Sequence, residues 1–313
     1  MKTPRVWMAR SPMCDVSAWI IWLLACLAMF RTATGGVAAE TLVERGDYLV
    51  NTIMACGNCH TPKDATGKAV SQLALSGGGL GFDTPGFAVT SSNITPDRET
   101  GIGNWNDSEI KRAVIEGARP DHARLPGVPL APPMFVNFNK ALTPRDLEAV
   151  VAYLRSVKPL RNEVPTPDYK KPFGRLPYPD AERTYTEDAL QDPVARGAYL
   201  TTIGHCMACH SSLINGQLNY TIGLGRGGRH FDQSDMKGFP KTWEGSVAKN
   251  ITSHPTSGIG AWSNAEIKRA ITQGISQDGR VLKPPMAFAW YANMTDADLS
   301  AIVAWLRTVP PLE

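Results

Sequence analysis

Cys56 and Cys59 stand two residues apart with His60 directly behind them, and Cys206, Cys209 and His210 repeat the arrangement. Paired thiols at this spacing admit three chemistries. Two C-x-x-C pairs can supply one four-cysteine zinc site, but these pairs lie about 150 residues apart, and zinc gives no role to a histidine behind each pair. A redox disulfide calls for a thioredoxin-like βαβ setting, which the surrounding pattern lacks. The third chemistry is covalent attachment of c-type haem, for which C-x-x-C-H is the signature. Each thiol adds across a vinyl group to form a thioether, and the adjacent histidine becomes an iron ligand. "CGNCH" and "HCMACH" therefore read as anchors of two covalently bound haem c groups, with Cys56, Cys59, Cys206 and Cys209 as attachment points and His60 and His210 as metal ligands.

A second axial ligand must come from elsewhere. Met134 and Met286 lie 74 and 76 residues after His60 and His210, each in a "PPM" context. The prolines hold the loop extended and aim the thioether, although methionine also serves as a core gap-filler. Met54, Met236, His122, His230 and His254 lack a repeat partner. His205 has Ala55 as its counterpart and reads as a polar residue near the haem edge. Trp105 and Trp262 do repeat; they either pack or donate an indole N–H to a haem propionate. Arg226 and Arg229 are further candidates for propionate contacts, with solvent exposure as their default. No catalytic residue is assigned.

The elements that must position these residues are themselves duplicated. "NIT" at 93–95 returns at 250–252, "EIKRA" at 109–113 returns identically at 266–270, and "VAYLRSVKPL" at 151–160 returns as "VAWLRTVPPL" at 303–312. The order is kept, so the chain is a tandem duplication. Each unit reads as helical. A short helix carrying "RGDYL" or "RGAYL" leads into each cysteine motif. A middle helix runs from about Asn106 to Gly117, and its twin is capped at Ser263 with Glu266 and ends at Gly274. A last helix opens at Thr143 with Pro144 and an acid three residues after the cap, and Leu147, Val150, Val151 and Leu154 form its apolar stripe. The stretches "SGGGLGF" and "GLGRGGRHF" read as loops. Six prolines between 159 and 179 predict an extended, semi-rigid spacer over 161–190.

The first 39 residues read as an export signal: a basic stretch ending at Arg10, an apolar run at 18–30, and small residues Val37 and Ala39 before a cut. Cleavage would leave Glu40 first. The apolar run is about 13 residues, short for a membrane span. An uncleaved anchor is the alternative, and "LLAC" at 23–26 offers lipidation at Cys26 as another. Cys14 and Cys26 fall inside the signal, so the remaining chain has only its two cysteine pairs and no separate disulfide framework. Residues 40–313 hold 28 basic and 28 acidic residues. This neutral body has no electrostatic footprint for nucleic acid. Hydrophobic residues make up 43% of the chain, enough for real cores.

With "CGNCH", "NITPDRETGIGNW", "PPM" and "DLEAVVAYLRSVKP" in place, plus their second copies, the chain resembles a tandem of class I cytochrome c domains. Within that class it resembles the cytochrome c subunits of bacterial membrane-associated alcohol, gluconate, aldehyde and nicotinate dehydrogenases. The resemblance implies an all-α fold, with domains at 40–160 and 191–313 joined by the proline-rich linker. It implies that a glycine of the first helix, Gly46 or Gly197, meets an aromatic residue of the last, Tyr153 or Trp305. The function to expect is that of an exported dihaem electron-transfer protein in the periplasm, peripherally attached to the outer face of the cytoplasmic membrane. It would take electrons from a dehydrogenase catalytic subunit and pass them to the quinone pool, an oxidase or another cytochrome. A free dihaem shuttle and a dihaem peroxidase or thiosulfate-oxidising enzyme are the rival readings; the enzyme needs one iron open.

Overall fold

A computed structural model describes residues 1, 3 and 39–313 of the chain; the expected signal segment, with Cys14 and Cys26, lies outside the described residues apart from its ends. Glu40–Glu313 form one compact unit. The helices of the first half are α1 (Leu42–Tyr48), α2 (Cys56–His60), α3 (Asp107–Glu116), α4 (Val136–Asn139) and α5 (Pro144–Ser156). Those of the second half are α6 (Pro193–Ile203), α7 (Cys206–His210), α8 (Asn264–Gln273), α9 (Phe288–Tyr291) and α10 (Asp296–Leu306). The order is the same in both halves, as the duplication requires.

Local chemistry sets the boundaries. Asn106 with Glu109, and Ser263 with Glu266, close reciprocal capping boxes at the starts of α3 and α8. Gly117 and Gly274 end these helices with φ of 74° and 66°, a left-handed conformation that favours glycine. Helix α1 is followed by a π-helical turn, Leu49–Ile53, that α6 lacks. The sequence explains it: Tyr48 lies eight residues before Cys56, whereas Tyr199 lies seven before Cys206. The wider turn absorbs the extra residue and keeps the cysteine motif in place.

In each half the first and last helices cross at a glycine. A Cβ on Gly46 would stand 2.0 Å from the Ala149 carbonyl oxygen and 2.6 Å from Tyr153 Cβ; on Gly197 it would stand 2.0 Å from the Ala301 carbonyl oxygen and 2.7 Å from Trp305 Cβ. Only a residue without a side chain permits this backbone approach, and the aromatic residue covers the crossing. The contact implied by the family resemblance is thus present in both halves.

The molecule is mostly helical, but not all-α. Strands β1 (Gly81–Asp83), β2 (Phe87–Thr90), β3 (Asp168–Tyr169) and β7 (Met236–Lys237) form a four-stranded antiparallel sheet in the order β3-β2-β1-β7. Its register pairs Phe82 with Val89 on one side and with Met236 on the other. Two small ribbons, β4 (Leu213–Ile214) with β5 (Gln217–Leu218) and β6 (His230–Phe231) with β8 (Ser246–Val247), complete the strands. Pieces of two to four residues are too short for an alternating pattern to register in sequence. The four-stranded sheet draws on the first half, the proline-rich segment and the second half.

That segment is not a free spacer. Its Tyr169 hydroxyl donates to the Pro129 carbonyl at 2.8 Å, Arg175 donates to the Leu130 and Ala131 carbonyls, and Asn137 donates to the Leu176 carbonyl at 2.9 Å. Tyr178 is fully buried, stacked on Phe138 of the first half and edge-on to Tyr220 of the second. The prolines keep it extended, while its aromatic residues fasten it down. One continuous apolar core, from Leu49 and Ile53 through Phe138 and Tyr199 to Val303 and Val309, runs through both halves.

Candidate haem attachment sites

Each cysteine motif is a single helical turn entered through a left-handed residue, Ala55 with φ of 46° and His205 with φ of 59°. The four thiols are unpaired. Burial pushes Cys56 and Cys206 up to about 12 and Cys59 up to about 11, and raises Cys209. Among the described residues no three or more His, Cys, Asp or Glu converge to hold a metal ion, so the zinc alternative has no cage.

The histidines are aimed the same way in both halves. His60 Nδ1 donates to the Ser92 carbonyl at 2.6 Å, and His210 Nδ1 donates to the Lys249 carbonyl at 2.7 Å. Burial lowers both imidazoles below the ordinary histidine value, against the raising effect of the carbonyl bond. A neutral imidazole with Nδ1–H committed to a carbonyl has its lone pair on Nε2, the donor form that iron takes. Backbone amides of the glycine loops hold the histidine carbonyls, Gly77 N–H to His60 and Gly227 N–H to His210, both at 2.7 Å.

The repeated "NIT" gains a physical role here. Asn93 Oδ1 accepts from the Thr95 amide and Asn93 Nδ2 donates to the Leu160 carbonyl; Asn250 does the same with Thr252 and Leu312. These turns tie the segment bearing the Ser92 and Lys249 carbonyls to the stretch that follows the last helix of each half. The histidine orientation is therefore set by a side chain that the sequence marks only as a repeat.

Met134 and Met286 both lie half-buried immediately before α4 and α9, in loops fixed by side chains. Trp243 Nε1 and Ser246 Oγ donate to the Pro284 carbonyl at 3.2 and 2.7 Å, and Arg175 bonds the Leu130 and Ala131 carbonyls of the other loop. Trp105 and Trp262 pack partly buried against the core, and their backbone carbonyls accept from Arg155 and Arg307. The unrepeated candidates have other duties. Met54 lies in the core, Met236 is buried in β7, and His122 approaches the Asn104 carbonyl. His230 is part of β6, and His254 Nδ1 accepts amides of its own turn. Arg229 donates to the Ala208 carbonyl at 2.6 Å and Arg226 reaches the Glu313 carbonyl, so neither is simply solvated.

Sequence reasoning missed what joins the halves. Arg45 grips Asp146 with two bonds of 2.8 Å, and Tyr199 of the other half donates to the same carboxylate at 2.5 Å. Arg196 holds Asp298 at 2.6 Å, and Tyr48 donates to that carboxylate at 2.6 Å. The acid three residues after Thr143 or Thr295 thus does not close a capping box; it binds the arginine of its own half's first helix and the tyrosine of the opposite half. Burial raises Tyr48 to about 12 and Tyr199 still further, so both phenols remain donors. The signal was present, since Arg, Tyr and Asp recur in "RGDYL", "RGAYL", "RDL" and "ADL".

Helical pairs crossing at glycine, around C-x-x-C-H turns with carbonyl-anchored histidines, are a frame suited to attaching c-type haem. Residues 194–310 match the Cytochrome c family model. Residues 194–310 are thus a cytochrome c family domain. It is similar to a nicotinate dehydrogenase subunit of Pseudomonas putida, 32% identical over 88% of this chain and 22% of that protein. It is similar to the cytochrome c subunit of the quinone alcohol dehydrogenase of Gluconacetobacter polyoxogenes, 30% identical over 95% of this chain and 61% of that protein. A diheme cytochrome c-type protein of Cereibacter sphaeroides is 28% identical over 82% of this chain and 83% of its own length. The chain thus spans about a fifth of the first of these relatives and three-fifths of the second.

Proposed function

We propose that this chain is a dihaem electron carrier serving a partner dehydrogenase. The observation that carries the reading is the pair of C-x-x-C-H turns whose histidines are each locked, Nδ1 to carbonyl, in the ligating tautomer. Cys56, Cys59, His60 and Met134 would hold one haem, and Cys206, Cys209, His210 and Met286 the other. Bound haem would supply one-electron chemistry, with the thioether ligand favouring the ferrous state. The chain's own part is to hold two ligands on each iron and to exclude water with the continuous core.

Residues 40–160 and 191–313 are assigned as two cytochrome c domains; the family match at 194–310 supports the second. Trp105 and Trp262 are assigned to the propionates. The donor is inferred to be the catalytic partner of a dehydrogenase, because several relatives are named as cytochrome subunits of dehydrogenases. The acceptor is the quinone pool, an oxidase or another cytochrome. The site is the periplasm, with cleavage after Ala39 and peripheral attachment to the membrane; among the described residues no helix is long and apolar enough to cross one.

The test is the purified mature chain. It should carry two acid–acetone-resistant haems, and Met134→Ala and Met286→Ala should each remove about half of the red charge-transfer band of methionine-ligated ferric haem and lower one potential only. The chain alone should oxidise no alcohol, aldehyde or sugar acid. Extractable haem, a band indifferent to both substitutions, or peroxide turnover by the isolated chain would each refute the reading.

A further inference from the structure

The two cysteine motifs differ at positions that have no repeat partner. His205 stands where the first half has Ala55, and Asn58 stands where the second half has Ala208. Both side chains reach across to the other half, and both end on the segment that carries the other half's methionine. The His205 ring stacks on Phe135, the residue directly after Met134, with centroids 4.7 Å apart, and its Nε2 lies 2.9 Å from Asn139 Oδ1. Asn139 Nδ2 donates to the Val114 carbonyl, so its oxygen faces the imidazole and Nε2–H is the donor. In the reverse direction Asn58 Nδ2 donates at 3.1 Å to the carbonyl of Pro285, the residue directly before Met286. Lys63 donates to Asn58 Oδ1 and fixes the amide's orientation.

We infer that each methionine arm is positioned by the attachment turn of the opposite haem: His205 holds the Met134 arm and Asn58 holds the Met286 arm. This rests on reading the two methionines as axial ligands. The physical consequence is an exchange of control. A change at one attachment turn alters the hold on the thioether of the other site, because each arm is bonded there; the Met286 arm keeps one further bond to its own half, from the Tyr291 hydroxyl to the Gly204 carbonyl at 3.4 Å. Asn58 and His205 are positioning residues; neither is expected to touch iron.

Imidazole binding to the ferric holoprotein tests this. The red band reports only methionine-ligated haem, so in a Met286→Ala background it follows the first site alone, and in Met134→Ala the second. His205→Asn keeps a residue that tolerates the left-handed backbone but shortens the reach to Asn139 and ends the stack. It should lower the imidazole concentration that bleaches the first-site band about fivefold, the worth of one lost hydrogen bond, and leave the second-site band unmoved. Asn58→Ala should do the reverse. If His205→Asn fails to mature with two haems, Asn58→Ala decides alone. Effects confined to the substituted turn's own haem, equal effects on both, or no effect on either would overturn the inference. If the methionine substitutions themselves leave the band intact, the ligation reading fails first, and the two failures are distinct.

Discussion

Where Phe135, His205 and Asn139 meet on one side of the molecule, the equivalent place on the other side holds Ala287, Ala55 and Tyr291. The first crossing is aromatic and hydrogen-bonded. The second is mostly apolar, with Tyr291 filling the space two alanines leave and its hydroxyl donating to the Gly204 carbonyl at 3.4 Å, while Trp290 comes so close to Gly57 that a Cβ there would stand 2.7 Å from its indole nitrogen. Around these centres the Arg–Asp–Tyr triads are the same on both sides. The residues around each half's own cysteine turn are also the same: histidine to carbonyl, Asn93 or Asn250 in its turn, glycine behind. On the proposed reading two copies of one unit would meet the same cofactor, which keeps those positions alike. At the centre of a pseudo-twofold contact the copies meet each other, and close packing demands complementary volumes and not equal ones.

The comparison breaks most severely at the helix crossings. Gly46→Val and Gly197→Val should each unfold their own half, because a side chain would overlap a backbone carbonyl in a fixed helix pair. The loss should exceed about 4 kcal/mol in each case, measured by denaturant unfolding of the holoprotein. Unequal losses would show that the halves do not carry equal weight.

A smaller effect separates the triads. Asp146→Ala strands Arg45, whose side chain is 12% exposed, and should cost about 3–5 kcal/mol. Burial disfavours that guanidinium's charge, but the Asp146 carboxylate outweighs it and keeps its pKa raised. Asp298→Ala strands Arg196, which is 36% exposed and reaches water, so about half that loss is expected. Matched unfolding curves of the two variants check the ranking, and equal midpoints would contradict it.

The smallest effect is a pH slope that only one crossing has. Burial pulls His205 down to about 3, well below its ordinary value. The folded protein therefore keeps it neutral where the unfolded chain takes up a proton. Its contribution is whole above the ordinary histidine range and falls as pH drops from about 6.5 toward about 3. His205→Phe should flatten the acid limb of stability against pH in that window, whereas Ala55→Phe should leave the limb's slope unchanged. An unaltered slope in His205→Phe would show that the ring is protonated in the fold.

The sequence by itself settled whatever depends on neighbours along the chain. The capping box at Ser263, the helix from about Asn106 to Gly117 and its twin ending at Gly274, and the C-x-x-C-H turns are local, and each element had a second copy to confirm the pattern. It also held the glycine crossings, once the family resemblance was in view. Tertiary structure alone decided where Asp146 and Asp298 point, because a carboxylate three residues after a cap can serve its own helix or a distant arginine, and only burial beside Arg45 or Arg196 chooses. It decided that the proline-rich segment is fastened, because Tyr178 needs partners from both halves. Above all it decided the places of His205 and Asn58. A residue without a repeat partner carries no pattern to read, and its role exists only where the two copies face one another.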